Sequence, residues 1–400
     1  MRQSSITFIN NDEVLGIAYD WRRIFKEYRR LGVPKTVYDP TTCPIEQVAY
    51  AQLMSQRSVG KTTSWLLIGM LMNRDYGTQI IYVRQREDQI MPKNSREALK
   101  VIIEYQDGKY IRQITDGRYN SVYTHSRRSY YCVRDEDGRV TEKAEEPFMI
   151  AVCVEKAEDL KSGFNVPKGD LIVFDEFIGS MYLPDEFVSF MQLISTIRRD
   201  RQSPRVIMLS NNTNVNSVYF KEFMISKEVR ALKLGEHKLI NTEKGTPIYT
   251  ELIGLRPSRT KTEGNRFYFG FDNPKLASIW GGESWAFESV PHMRLHDSDV
   301  YLYRGLRIRH NGQMLQCEFV YTEDRGLIIN CHETSRSSYK DVIILTLDEI
   351  WRPNEMYAWG HGKICQRFWD LYKFNKVYYD HNESGALLKD YVRQCRLLRA

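Results

Sequence analysis

Four hundred residues exceed one typical core, so two to three domains are expected at the usual ~150 residues per domain. With 42% hydrophobic and 27% charged residues the chain can bury ordinary cores; it has no run approaching the ~20 apolar residues of a membrane span, and MRQSSITFINNDE lacks the apolar stretch of a signal peptide. A net charge of +6 permits nucleic-acid contact without requiring it, and seven cysteines with no C-x-x-C pair fit a reducing compartment, so a soluble, cytosolic protein without membrane contact is expected.

In chain order, residues 12–32 place Leu15, Ala18, Trp21, Phe25 and Tyr28 on one helical stripe, with arginines late and Gly32 as a stop. Tyr38, in the link that follows, is a candidate contact for a nucleotide base. Residues 48–64, VAYAQLMSQRSVGKTTS, then run from an apolar strand through a polar loop into a second apolar run. Strand, loop and helix in that order make a phosphate-binding loop, which assigns Ser55, Gln56, Arg57, Ser58, Val59, Gly60, Lys61, Thr62 and Thr63 to a nucleotide site. Gly60 permits close backbone approach, Lys61 neutralises phosphate, and Thr62 offers a hydroxyl to Mg²⁺. Ser55 stands where the pattern asks for glycine, which is tolerable if its φ stays negative.

The helix after Lys61 is apolar almost all round and ends near Gly77, and QIIYVRQ at 79–85 is a strand with Arg84 and Gln85 at its end. Residues 92–104 read as a helix and 110–155 as an antiparallel insertion, through SYYCV, the turn DEDG and PFMIAVCVE. At 169–178, GDLIVFDEFI is a strand buried on both faces that ends in two acids. Asp175 is then the expected metal-holding carboxylate and Glu176 the group that polarises the attacking water. An amphipathic helix follows, opened by Pro184 and closed by Arg198, Arg199, Asp200 and Arg201. Cations there complement the helix dipole; alternatively Arg199 or Arg201 reaches a neighbouring subunit's nucleotide as an arginine finger. The strand RVIMLSNNTN at 205–214 ends in amides, with Asn211 as the candidate γ-phosphate sensor.

SQRSVGKTT, LIVFDEF and MLSNN together resemble the large terminase and phage DNA-packaging ATPase family, nearest to the encapsidation proteins of small short-tailed phages. The likeness covers about residues 45–220 well. It implies an α/β fold: a P-loop ATPase domain of the additional-strand, catalytic-glutamate class over residues 1–228, a linker region at 229–295, and a smaller α+β ribonuclease-H-like domain at 296–400. The implied activity is ATP hydrolysis with Mg²⁺, driving double-stranded DNA into a preformed capsid. The implied assembly is a ring of identical subunits, five in number, docked in the host cytoplasm on the portal of the procapsid, with a structural packaging RNA in some relatives. Arg57 would contact the γ phosphate.

From 299, several strands are followed by helix, strand and helix, which is compatible with such a nuclease fold. Asp380 in YDHNESG matches an acid of the nuclease motif, whereas YRGLRIRHNG carries Arg304, Arg307 and Arg309 where a metal-binding aspartate belongs. Cations oppose metal binding, so cleavage is expected to be lost and a nucleic-acid or partner-binding surface kept. Cys331-His332 with His361 and Cys365 is the nearest approach to a metal cluster, and buried thiols with ordinary histidines are the simpler reading. The rival functions are a complete terminase with endonuclease activity and a non-translocating nucleotide-binding assembly protein.

Overall fold

Strands with continuous apolar runs must be covered on both faces, and three such runs here, IIYV, LIVF and VIML, with YAQLM, whose Gln52 is buried too, form the middle of one sheet. The computed structural model describes residues 18–55, 59–160, 166–179, 183, 185–211, 217–255, 290–335, 342–347, 350, 352–357 and 362–397. They divide into two compact units, the first taking its described residues from Met1–Gly179, Asp185–Asn212 and Glu222–Thr262, the second from Ser180–Pro184, Thr213–Lys221 and Glu263–Ala400.

In the first unit, helix α1 (Trp21–Arg30) precedes β1 (Tyr50–Ser55), α2 (Lys61–Tyr76), β2 (Gln79–Arg84), α3 (Pro92–Glu104) and α4 (Lys109–Ile114). Strands β3 (Ser121–His125), β4 (Arg128–Arg134), β5 (Val140–Lys143) and β6 (Met149–Cys153) follow, then β7 (Gly169–Asp175), α5 (Glu186–Arg198) and β8 (Arg205–Asn211). Short helix α6 (Val218–Glu222) falls in the second unit as far as Lys221, and in the first unit α7 (Ser226–Arg230) leads to β9 (His237–Asn241) and β10 (Pro247–Leu252). The sheet order is β3-β4-β6-β2-β7-β8-β1-β10-β9, with β5 also paired to β4. From β6 to β10 every neighbour is parallel, so β1, β2, β7 and β8 all present their carboxyl ends at one edge. Trp65, Leu66, Ile68, Met70 and Leu71 of α2 are fully buried in the core on one face.

Two sequence expectations change here. PFMIAVCVE does not stay within an antiparallel insertion, because β6 pairs in parallel with β2 while only its start meets β4. Residues 237–252 of the expected linker are strands of the main sheet, β10 lying parallel beside β1; Gly245, at φ +83°, sits in the turn that joins the hairpin. Residues 256–289 of that linker lie outside the described residues.

The second unit holds a meander of β11 (Val300–His310), β12 (Gln313–Thr322) and β13 (Gly326–Glu333). Strand β14 (Ile343–Thr346) joins β11 in parallel and β15 (Glu355–Tyr357) joins β14. After α8 (Lys363–Lys373), β16 (Val377–Tyr379) pairs in parallel with β13, and α9 (Asn382–Leu397) closes the unit. Phe368, Leu387, Leu388 and Tyr391 from the helices pack on Leu306, Ile308, Leu315 and Ile329 from one face of the sheet. A buried His310–Asp390 contact of 2.8 Å ties β11 to α9. Among the described residues, no helix is long and apolar enough to cross a membrane.

Candidate nucleotide site

The carboxyl edge of the parallel sheet is where the sequence-predicted groups meet. Strand β1 ends in Ser55, and α2 begins at Lys61 with Gly60 as its N-cap in the left-handed region (φ 78°). Only glycine fits there without strain, and a Cβ at this position would also lie 2.5 Å from Val37 Cγ1. Tyr38 donates its amide to the Val59 carbonyl at 2.8 Å, bracing the loop from outside. Its ring is buried with its hydroxyl 3.1 Å from Glu251, so it is a structural strut within its own chain rather than an accessible base contact.

Helix geometry leaves the first amides of α2, those of Lys61, Thr62 and Thr63, without intrahelical acceptors. They form a positive terminus at the sheet edge, suited to an anion. The Lys61 ammonium is 7% exposed and donates to the Ser55 hydroxyl. Burial lowers its pKa to about 8, and the negative charges of Asp175 and Glu176 oppose that shift. The serine at the front of the loop thus has a task that glycine could not perform, since its hydroxyl is the lysine's hydrogen-bond acceptor.

Strand β7 delivers the acids. Asp175 Oδ1 accepts from the Thr62 hydroxyl at 3.0 Å, while Oδ2 accepts from Tyr82 at 2.9 Å and from Arg84 Nη1 at 3.2 Å. Glu176 follows at φ 57°, exposed, and bonded to Arg84 Nη2. Burial works against the Arg84 charge, but the negative charges of Asp175 and Glu176 and the hydrogen bond to Tyr82 outweigh it, so its pKa is raised. Beside it, Gln85 donates to buried Glu186 at 2.8 Å, a contact so close to Gly179 that a Cβ there would fall 2.0 Å from Gln85 Oε1. Strand β8 lies between β1 and β7, and Asn211 at its end pairs in register with Ser55.

Ser55, Lys61, Thr62, Asp175, Glu176 and Asn211 are therefore brought to one edge. Gln56, Arg57, Ser58 and Pro184 lie outside the described residues. Tyr82, which grips Asp175, escapes sequence reasoning because a phenol inside IIYV looks like one more core side chain.

Arg201 is a correction. Its guanidinium pairs with Asp170, which is 1% exposed, at the amino end of β7, and donates to the carbonyls of Pro167 (2.8 Å), Ile197 (2.7 Å) and Val166 (3.2 Å). Tyr19 and Ser203 complete the shell of Asp170. A side chain so engaged within its own chain is not available to a neighbour as an arginine finger. Arg201→Ala, which strands the Asp170 charge, is expected to cost about 3 kcal/mol of stability. Urea unfolding checks this, and a loss below about 0.5 kcal/mol would return Arg201 to the pool of functional cations.

In the second unit, Arg309 pairs with Glu355 at 3.1 Å and Arg307 Nε donates to Gln316 at 2.8 Å. Asp380 accepts from Ser384 at 2.6 Å at the start of α9. Strand alternation separates Cys331, buried 3.9 Å from Cys317, from His332, which turns to Glu318 at 3.6 Å. Among the described residues no three His, Cys, Asp or Glu side chains are grouped to hold a metal.

A family model described as podovirus DNA encapsidation protein (Gp16) matches residues 137–251. The DNA packaging protein of Bacillus phage phi29 is 27% identical over 323 residues, covering 77% of this chain and 83% of its own. That of Bacillus phage B103 is 22% identical over 316 residues, covering 74% and 82%. A chain from the bacteriophage Phi-29 viral genome packaging motor assembly superposes with a TM-score of 0.51 at 19% identity, spanning 90% of this chain and all of that one, a likeness of fold. The match spans the acidic strand, the sensor strand and the β9–β10 hairpin, and the relatives extend it over three quarters of the chain. Over these residues the chain is similar to the podovirus DNA-encapsidation proteins, the proteins that SQRSVGKTT, LIVFDEF and MLSNN resemble.

Proposed function

We propose that this chain is an ATP-hydrolysing motor that moves double-stranded DNA into a preformed capsid. The observation that carries the reading is the convergence of Lys61, Thr62, Asp175 and Glu176 at one sheet edge, in a chain whose relatives are DNA packaging proteins. We assign the first unit to the P-loop class with an additional strand, a reading supported by the place of β8 between the loop strand and the acidic strand.

The residues present suit a nucleotide with its metal. Lys61 is a buried cation whose bonded side-chain neighbour is a neutral hydroxyl, and an anion would relieve its burial cost. Thr62 and Asp175 offer a hydroxyl and a carboxylate, hard oxygen donors of the kind Mg²⁺ takes. When bound, the ion neutralises phosphate charge. Asp175 is pre-oriented by three hydrogen-bond donors, which fixes the direction of its remaining lone pairs. Glu176 supplies the carboxylate that orients the attacking water and takes its proton; to do so it must leave Arg84, to which it is bonded here. We assign Asn211, at the end of β8, to donate at the γ position, and Arg199, just beyond α5, is our choice for the cation acting across a subunit boundary.

We read the second unit as a ribonuclease-H-like fold that no longer cuts. Arg307 and Arg309 on β11 and the hydrogen bond that ties Asp380 to Ser384 support this. Metal-dependent plasmid nicking by the purified protein, lost on Asp380→Ala, would overturn it. The motor reading predicts ATPase activity stimulated only when double-stranded DNA and empty capsids are both present. Oligomerisation that requires ATP, with hydrolysis at background throughout, would favour the assembly-protein alternative instead.

A further inference from the structure

The antiparallel strands at the β3 end of the main sheet carry a face that the chemistry above does not use. Tyr123 pairs with Tyr130, His125 with Arg128, and Cys132 with Lys143. Side chains alternate, so Val122 and Tyr131 enter the core while Tyr123, His125, Arg128, Tyr130 and Lys143 share the opposite face. Helix α3 packs on β3 and β4, where it adds Leu99 and Ile102 to the same core as Val122 and Tyr131. On the other side His125, Arg128 and Lys143 are exposed and the two tyrosines half-buried.

The grouping is ordered. The Tyr123 and His125 rings lie 3° from parallel with centroids 6.2 Å apart. Lys143 Nζ stands 4.2 Å from the Tyr130 centroid and 5.9 Å from that of Tyr123. Among the described residues no carboxylate pairs with Arg128 or Lys143, whereas nearby Arg127 and Arg118 are neutralised by Glu87 and Glu142. The face therefore keeps unspent positive charge and aromatic surface together. Base readout in a duplex inserts a helix or a narrow two-stranded ribbon into a groove, whereas the rings and cations here are spread over the flat of three strands. Ring surfaces interleaved with cations on a sheet suit splayed bases and their phosphates instead. Three strands spaced about 4.8 Å apart offer room for two or three nucleotides.

We propose that this β3–β4–β5 face binds nucleic acid through unpaired bases, as in a single strand or the loop of a folded RNA. Anisotropy titration of the full-length protein with labelled single-stranded DNA, an RNA hairpin and a blunt duplex tests this without relying on the motor reading. Tyr123→Ala with Tyr130→Ala should weaken the single strand or the loop by about tenfold or more, and the duplex less than about threefold. Lys143→Glu should lower the salt slope by about one. Tyr123→Phe with Tyr130→Phe should retain binding, which separates stacking from loss of fold. The tighter of DNA strand and RNA loop identifies the source, and either satisfies the proposal. Unchanged single-strand and loop affinity in the alanine variant, equal weakening of all three ligands, or full competition by an acidic peptide would overturn it.

Discussion

Lys61→Ala should abolish nucleotide binding, with a loss of at least about 100-fold in affinity, because it removes the buried cation at the start of α2. Calorimetric titration with ATP and Mg²⁺ reads this directly. The variant should fold at least as well as the parent, since burial of the ligand-free ammonium lowers its pKa despite the opposing charges of Asp175 and Glu176. Loss of binding together with an unchanged or raised Tm is the expected pair. Retained affinity would remove the loop from the nucleotide site, and a collapse of Tm would make Lys61 a structural residue.

Glu176→Gln should leave ATP affinity within about threefold of the parent while cutting turnover by 10²- to 10⁴-fold, roughly the contribution of a positioned general base. The amide keeps the size of the side chain and can still accept a bond from Arg84, but it cannot take a proton. Single-turnover hydrolysis separates the two effects, and DNA packaging should stop with turnover. A normal hydrolysis rate would assign activation of water to another group at the edge.

The site's phosphate half was legible because it is written in consecutive residues: GKTT follows an apolar strand, and DE ends another. Ser55 looked like a blemish, yet it is the partner of Lys61, a pairing that depends on a six-residue return of the chain and has no linear signature. Arg201 misled for the opposite reason. A cation after a helix looks the same whether it faces solvent, a neighbour or a buried acid, and Asp170 lies 31 positions earlier. The β9–β10 hairpin was missed because charged, exposed β9 lacks an apolar signal, although β10 itself carries one. Arg84 stood out by position at a strand end, but its grip on both acids depends on β2 and β7 being neighbours, and strand order is not written locally.

That strand order also dictates when the chain can fold. Strand β1 is made early, but its neighbours, β8 and β10, arrive about 150 and about 200 residues later, so its two edges stay unpaired until about half of the 400 residues have been made. A nascent chain stopped before residue 205 would hold β1 and β7 as apolar strands with open edges, the form most prone to sticking to other copies. Truncations ending between 180 and 204 should therefore aggregate, and the gap between β1 and β7 closes only when β8 slots in as the keystone.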